Sequence, residues 1–304
     1  MRIVFMGTPE FAVPSLQRLI DDGHTIAAVY TQPDRPKNRG MKLVPTPVKA
    51  LAMANGLTVR QPEKIRDEAV LEELRALAPE LLVVAAYGKI LPEELLRIPT
   101  MAAINVHSSL LPKYRGAAPI NWAVLNGDRE TGVTIQHLGV ELDAGDIILV
   151  KKTPINPEED AQQLYERLAI LGAEALSEAV KALADGTATR TPQPPADGPY
   201  AAMLTKEMSP IDWNKNAETI VNQIRGLIPW PCATMELQGE RVKVYRASVG
   251  DATSAEPGTI IGAGKSGIAV AAGDGRAVLV RELQRPGSKR MSAADYLLGH
   301  PIQL

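Results

Sequence analysis

Along the first 155 residues, short apolar runs alternate with segments whose apolar positions recur every three to four residues. Residues 81–86 are apolar throughout, as expected for a strand that helices cover on both faces. Strands that alternate with helices indicate a mostly parallel sheet with right-handed crossovers. The pattern therefore predicts a Rossmann-like α/β domain. Its predicted strands are 2–6, 25–31, 81–86, 102–107, 132–138 and 146–152, and its predicted helices are 14–21, 48–55, 66–77 and 117–125.

The second half of the chain has a different pattern. Residues 158–185 have the periodicity of one long helix, and Gly186 follows as a stop signal. The stretch 191–200 is rich in proline, which is typical of a linker. A helical pattern over 217–227 and several short β-like segments then predict a small OB-like β-barrel. We therefore divide the chain into an α/β domain (1–189), a linker (190–205) and a C-terminal barrel (206–304).

Composition limits the class of protein. Of the 304 residues, 45% are hydrophobic and 22% are charged, as in ordinary globular proteins. The net charge of −2 means that any contact with nucleic acid must come from a local basic patch. The single cysteine, Cys232, excludes an intrachain disulfide and fits a reducing compartment. No apolar run reaches the roughly 18 residues of a membrane helix and no signal peptide is evident, so we expect a cytoplasmic protein.

Residues 102–119, A-A-I-N-V-H-S-S-L-L-P-K-Y-R-G-A-A-P, contain the first candidate for chemistry. Side chains alternate along a strand, so Asn105 and His107 point to one face at its carboxyl end. Ligand crevices of open α/β sheets lie at that edge. An amide and an imidazole can both donate hydrogen bonds, which suits a reaction in which a carbonyl oxygen gains negative charge. The alternative is a strand end with two satisfied polar groups.

The loop 140–146, V-E-L-D-A-G-D, is the second candidate. Asp143 and Asp146 could each act as a general base. Asp and Gly also favour turns, so a purely structural loop is the alternative.

A third candidate is the basic loop, which we define as residues 34–49. It contains five cations and one anion, a local charge of +4. Such a loop can bind a polyanion through its phosphates. A solvated, flexible loop is the alternative.

Two further kinds of site are disfavoured. The turn after the first strand, G-T-P-E-F from Gly7, matches neither the dinucleotide fingerprint nor the P-loop, and a tight turn is the plain interpretation. No Cys or His residues have the spacing of a zinc site, so we expect no metal.

Taken together, the motifs resemble those of the folate-dependent formyltransferases. N-V-H-S-S-L-L-P-K-Y-R-G-A-A-P and the later L-D-A-G-D carry the resemblance. It extends over the whole chain through M-G-T-P-E-F, T-Q-P-D-R-P, A-A-Y-G-K-I-L-P, G-V-T-I-Q, I-D-W and P-W-P. The resemblance implies that the formyl group of 10-formyltetrahydrofolate is transferred to an amine through a tetrahedral intermediate. The order of the motifs is most similar to the members that formylate methionyl initiator tRNA for translation initiation.

The resemblance also assigns roles to residues of this chain. It implies that Asn105, His107 and Asp143 are catalytic, and that the basic loop and the C-terminal barrel bind the charged initiator tRNA. In the basic loop the implied tRNA contacts are Arg35, Lys37, Arg39 and Lys42. The implied folate contacts are Ser109, Leu110, Leu111, Pro112, Tyr87, Gly88 and Ile90. Three residues, Ser108, Glu141 and Ala144, depart from the usual family pattern. Many relatives have glycine at the position of Ser108, and if that glycine needs a positive φ, the backbone of Ser108 is strained.

Two alternatives to this function are open. One is a formyltransferase or hydrolase that acts on a small substrate, such as glycinamide ribonucleotide or an amino sugar. The other is a non-catalytic RNA-binding module, against which the barrel region lacks the interleaved aromatic residues of a stacking platform. No long exposed apolar stripe is evident, and we expect a monomer.

Overall fold

A computed structural model describes residues 1–37, 42–196, 198 and 200–304. The contacts divide the chain into two compact units. Unit 1 comprises Met1–Gly116, Glu130–Pro154 and Tyr165–Tyr200, and unit 2 comprises Ala117–Arg129, Ile155–Leu164 and Ala201–Leu304. The linear domain boundaries given above stay a prediction.

Unit 1 is built on a seven-stranded sheet with the order β5-β2-β1-β6-β7-β8-β9. The first five of these strands pair in parallel, and β8 and β9 are antiparallel. All five residues of β6 are buried, as its continuous apolar run predicts. The strands of unit 1 are β1 Arg2–Gly7, β2 Thr25–Tyr30, β3 Arg35–Lys37, β4 Lys42–Val44, β5 Val59–Arg60, β6 Leu81–Ala85, β7 Ala102–His107, β8 Glu130–His137 and β9 Ile147–Pro154.

The helices begin and end where the local sequence favours it. At α2, for example, the Thr46 side chain accepts a hydrogen bond from the Lys49 amide, and Pro47 occupies the first turn. The helices are α1 Val13–Asp21, α2 Pro47–Ala54, α3 Glu68–Ala76, α4 Glu93–Leu96, α5 Pro119–Leu125, α6 Ala161–Ala184, α7 Ala217–Gly226 and α8 Ala293–Gly299. No helix among the described residues is both long enough and apolar enough to cross a membrane.

Gly7 ends β1 for a packing reason. A Cβ atom at this position would lie 2.7 Å from Cβ of Ala12 and 2.8 Å from a ring carbon of Phe5. These distances are shorter than carbon atoms tolerate, so the chain can turn here only with glycine. Packing, rather than a bound phosphate, accounts for Gly7.

Unit 2 contains a six-stranded antiparallel sheet. Its main path is β10-β11-β14-β13-β12, and β15 pairs with β14. Residues of α7 and α8, including Ile220, Ile224 and Tyr296, share one apolar core with the strands. The strands are β10 Ala233–Leu237, β11 Glu240–Ala252, β12 Ile260–Gly264, β13 Gly267–Ala271, β14 Arg276–Gln284 and β15 Met291–Ser292. The predicted fold class, a mostly parallel α/β sheet followed by a small antiparallel β domain, is confirmed.

We predicted the basic loop to be an irregular segment, but part of it is regular. Its residues 35–37 and 42–44 form a two-stranded hairpin, in which β3 pairs antiparallel with β4. Arg35 is exposed on the first of these strands, whereas Arg39 lies outside the described residues. Short strands of this kind bury little apolar surface, so their sequence shows no periodicity.

A polar cluster of three side chains fixes the base of this hairpin. Nζ of Lys49 lies 2.5 Å from Oδ2 of Asp34 and donates to Oε1 of Gln61 at 2.8 Å. The Gln61 amide in turn donates to Oδ1 of Asp34 at 2.7 Å. Lys49, counted above among the cations of the loop, is therefore neutralised by Asp34.

The hydrogen bond from Lys49 lowers the pKa of Asp34 below its ordinary value. The unfolded-state pKa is about 3.9, so the stabilisation is fully present above that pH and is lost as the pH falls through the lower folded value. We expect Asp34→Asn to lower the free energy of unfolding by about 1 kcal/mol at pH 7, and by progressively less below pH ~4. Urea unfolding followed by far-UV circular dichroism measures this.

Asp67→Asn is the matched control, because Asp67 is exposed and its side chain makes no capping hydrogen bond to α3. An Asp34→Asn effect of equal size at pH 3 and pH 7 would show that the ionised carboxylate is not what stabilises the cluster.

Candidate active site

The pairing of β7 with β8 sets the framework of the site. Asn105 lies opposite Gln136, and His107 lies opposite Thr134. Paired and alternate residues of a sheet share one face, so these four side chains project together. His107 is 5% exposed, whereas Asn105 is partly exposed. Within the described part of the chain, the Asn105 carboxamide has no hydrogen-bond partner, which leaves it available to a ligand.

His107 faces two oxygen acceptors. Its Nε2 lies 3.0 Å from the carbonyl oxygen of Tyr114, and its Nδ1 lies 3.5 Å from Oδ1 of Asp143. A carbonyl oxygen can only accept, so Nε2 carries a proton and donates it to Tyr114. The imidazole is thereby oriented with Nδ1 toward the carboxylate.

Only 9% of the Asp143 side chain is exposed, and neutral donors hold its carboxylate. The Gly116 amide donates to Oδ2 at 2.9 Å, and the Gln136 side chain donates to Oδ1 at 3.1 Å. Asp146 instead pairs with Arg190 at 2.7 Å. The structure thus brings Asn105, His107 and Asp143 together. It also distinguishes Asp143 from Asp146, which the sequence left as equivalent candidates for the base.

The loops around His107 contain unusual backbone conformations. Tyr114 has φ +60° and Asp143 has φ +53°, both in the left-handed region. Such residues persist only where their surroundings hold them, and they cluster at functional sites. Ser108, in contrast, does not have a positive φ, so replacing the glycine common in the family causes no backbone strain of that kind.

The segment predicted to contact folate is a turn fixed to β8. The Thr134 hydroxyl donates to the carbonyl of Ser109 at 2.7 Å and accepts from the amide of Leu111 at 3.2 Å. The Ser109 hydroxyl donates to the carbonyl of Lys113 at 2.6 Å. Leu111 is buried, while Leu110 and Pro112 are half-buried.

Tyr87, Gly88 and Ile90 follow β6 at the same edge of the sheet. The carbonyl of Tyr87 accepts from the Thr8 hydroxyl at 2.9 Å and from the Gln32 amide at 3.2 Å, which ties together the loops after β1, β2 and β6. The Tyr87 ring lies in the core, and burial raises the pKa of its phenol to about 12. Gly88 has φ +84°, and Ile90 is 72% exposed. The apolar surface here that a ligand could cover belongs to Ile90.

Sequence reasoning missed three side chains of the site. Gln136 orients Asp143, and Arg115, buried in the loop after β7, donates to the side-chain oxygen of Gln193 at 3.1 and 2.9 Å. Gln193 lies in the proline-rich segment that was interpreted as a linker. A signal for Gln136 was its place in the motif G-V-T-I-Q, whereas the sequence held none for Gln193.

Comparisons with known proteins agree with this geometry. The formyl transferase family matches residues 1–180, and the formyl transferase C-terminal domain matches residues 203–301. The chain therefore belongs to the formyl transferase family. It is 52% identical over 303 residues to a protein of Trichlorobacter lovleyi named methionyl-tRNA formyltransferase, covering 100% of this chain and 95% of that protein. A protein of Geotalea uraniireducens with the same name is 50% identical, with 99% and 96% covered.

Solved structures are similar in fold at low sequence identity. An N-formyltransferase from Helicobacter canadensis, in complex with folinic acid and dTDP-3-aminofucose, aligns with TM-score 0.67 and 19% identity, covering 93% of this chain and 98% of that chain. HypX from Aquifex aeolicus in complex with tetrahydrofolic acid aligns with TM-score 0.65 and 19% identity. That alignment covers 98% of this chain but 47% of HypX, so the chain spans about half of HypX.

The contact with Tyr114 predicts which nitrogen of the His107 imidazole carries a proton. We expect Nε2, rather than Nδ1, to carry the proton of the neutral imidazole, because its described partner is a carbonyl oxygen. Long-range ¹H–¹⁵N NMR of the imidazole nitrogens distinguishes protonated from unprotonated Nε2. The partly exposed His24 ring serves as an internal comparison. An Nδ1–H tautomer with unprotonated Nε2 would contradict the geometry.

Proposed function

We propose that this protein transfers the formyl group of 10-formyltetrahydrofolate to the α-amino group of methionyl initiator tRNA, as a monomer in the cytoplasm. The observation that carries the proposal is the Asn105 carboxamide, which has no hydrogen-bond partner among the described residues and lies on the same strand face as His107, whose imidazole is 3.5 Å from the Asp143 carboxylate. The full-length relatives named methionyl-tRNA formyltransferase support the choice of acceptor. The tetrahedral intermediate collapses as the bond between the formyl carbon and N10 of the folate breaks, and N10 takes up the proton that the attacking amine lost, so tetrahydrofolate leaves as the amine.

Asp143 is the general base of the proposed reaction. The attacking amine must lose a proton, and a carboxylate can accept it directly or through one water. Oδ2 of Asp143 accepts a single described hydrogen bond, from Gly116, so it retains a lone pair for that proton. The orientation of the carboxylate is fixed because its two donors lie in different parts of the fold, Gly116 in the loop after β7 and Gln136 on β8.

Asn105 and His107 stabilise the negative charge that forms on the formyl oxygen. The free amide of Asn105 can donate to that oxygen without losing another partner. Because Nε2 donates to the Tyr114 carbonyl, His107 can donate to that oxygen from Nδ1 only as the imidazolium, and the 3.5 Å contact to Asp143 is longer than a normal hydrogen bond, so a substrate oxygen can compete for that second proton. Catalytic hydrogen bonds are often long before the substrate binds.

The folate lies, in this proposal, at the carboxyl ends of β1, β6 and β7. The residues there fit a ring system with polar edges: Leu110 and Ile90 offer apolar surface, and Gly88 leaves the backbone open to close approach. The Ser109–Pro112 turn provides a rigid wall, because Thr134 fixes it to β8.

The tRNA binds through the basic loop and the C-terminal domain. Arg35, Lys37, Arg39 and Lys42 lie within eight residues of the sequence, and close spacing of cations suits a phosphate backbone. The proposed catalytic domain is residues 1–189, which includes the basic loop, and the proposed tRNA-binding barrel is residues 206–304.

The proposal predicts both substrate choice and the effect of the three catalytic substitutions. Incubation with labelled 10-formyltetrahydrofolate should label methionyl initiator tRNA, but not methionyl elongator tRNA, glycinamide ribonucleotide or an amino sugar. Asn105→Ala, His107→Ala and Asp143→Asn should each lower kcat by about 10²-fold or more, since oxyanion donors and bases contribute factors of this size. Binding of tRNA should be nearly unchanged.

Asp146→Asn is the matched control, because Asp146 lies in the same loop and pairs with Arg190 at the surface. Near-normal turnover by Asp143→Asn would remove that residue from the base role. Labelling of a small acceptor in place of tRNA would replace the proposed acceptor.

The basic loop predicts a separate salt effect. Each of the substitutions Arg35→Ala, Arg39→Ala and Lys42→Ala should raise KM for tRNA. Each should also lower the slope of log KM against log salt concentration by about 1, the value expected for one lost phosphate contact. Lys181→Ala, which removes an exposed cation at the end of α6, is the control. Unchanged salt slopes in all three loop variants would mean that the loop faces solvent.

A further inference from the structure

Gln193 makes an unusual number of contacts for a side chain in a proline-rich segment. Its Nε2 lies within hydrogen-bond distance of three acceptors that share its two N–H groups: the carbonyl of Asp143 at 2.9 Å, the carbonyl of Gly145 at 2.7 Å and Oε1 of Gln136 at 3.0 Å. Its Oε1 accepts from Nε and Nη2 of Arg115. Donors surround one end of the amide and acceptors surround the other, so the orientation of the amide is fixed by its partners.

We propose that Gln193 is a positioning residue that sets the orientation of the Asp143 carboxylate for formyl transfer. The inference rests on the proposed function only for the identity of the reaction. The group that Gln193 acts on, and the contacts by which it acts, are properties of the site itself.

The backbone of Asp143 and the two donors to its carboxylate, Gln136 and Gly116, are each linked to Gln193. The backbone of Asp143 is bound directly through its carbonyl. Oδ1 of Asp143 is reached through Gln136, which accepts from Gln193 and donates to the carboxylate. Oδ2 is reached through Arg115, which precedes Gly116, the residue whose amide donates to Oδ2. Both carboxylate oxygens and the backbone therefore depend on one amide.

The backbone of Asp143 needs such support. With φ +53° it occupies a region that non-glycine residues visit only at a cost. A Cβ at Gly145 would lie 1.8 Å from the carbonyl oxygen of His137, so the loop turns tightly just after Asp143. Loss of the hydrogen bonds to the Asp143 and Gly145 carbonyls would leave this turn without the partners that hold it.

The main chain places the Gln193 amide firmly. Thr191 exchanges two backbone hydrogen bonds with Ile147 on β9, at 2.7 and 2.9 Å. Pro192 and Pro194 flank Gln193 and restrict its backbone to extended conformations. The start of the proline-rich segment is thus anchored to the sheet and presents Gln193 to the site.

The experiment compares Gln193→Met, which removes both ends of the amide, with Gln193→Glu, which keeps the acceptor toward Arg115 and removes the donor. Both should lower kcat for formyl transfer to methionyl-tRNA by about 10- to 100-fold, as expected for a misplaced catalytic group. KM for tRNA should stay within about threefold, since no tRNA contact changes. Gln17→Met is the matched control, because Gln17 bonds the exposed Asp21 on α1.

Two further readouts separate positioning from general stability. Hydrogen exchange of the Gly116 amide, measured by NMR, should accelerate in both Gln193 variants and not in Gln17→Met, because that amide reports on Oδ2 of Asp143. In an Asp143→Ala background, Gln193→Met should lower kcat no further, since its effect passes through Asp143.

Unchanged kcat and unchanged Gly116 exchange in Gln193→Glu would overturn the inference, as would a full additional loss in the Asp143→Ala background. If Gln193→Met does not fold, Gln193→Glu decides, because it retains the contact with Arg115. If the parent protein formylates no methionyl-tRNA, the proposed function fails, while Gly116 exchange still decides the role of Gln193.

Discussion

The site depends on one constraint: a buried carboxylate must keep its orientation toward an imidazole without help from a directly bound cation. Asp143 meets this constraint through the amide of Gly116 and the side chain of Gln136. His107 is fixed from the other side by the carbonyl of Tyr114. Since these partners lie on β8 and in the loop after β7, the pair forms only when β7, β8, this loop and the loop of Asp143 are all in place.

The sequence predicted the parts of the fold that carry periodic burial. β7 was predicted with its observed bounds, because its alternation of apolar and polar residues marks both the strand and the face of Asn105 and His107. The long helix α6 and the buried strand β6 were predicted for the same reason. The hairpin of β3 and β4, the short helix α4 and the terminal helix α8 were not, because short or half-exposed elements bury too little surface to leave a pattern.

The candidate site was predictable only in part. The types of side chain at 105, 107 and 143 suggest their chemistry, but the choice between Asp143 and Asp146 depends on which one faces His107. That choice follows from a left-handed residue and a tight glycine turn, neither of which sequence spacing can fix. Gln193 was hidden altogether, since prolines around it are typical of a linker and its partners are about 50 to 80 residues away in the chain.

Arg115 is placed so that its positive charge does not contact the Asp143 carboxylate directly. A guanidinium bound directly to a carboxylate stabilises the charged form and weakens that carboxylate as a proton acceptor. Here the buried guanidinium of Arg115 donates to the side-chain oxygen of Gln193 and lies 3.5 Å from Glu141. The side-chain amide of Gln193 separates this guanidinium from Asp143. The cation is thus satisfied by a neutral oxygen and an exposed glutamate. Asp143 receives rigidity from the network through neutral hydrogen bonds, which suits the base role that we propose for it.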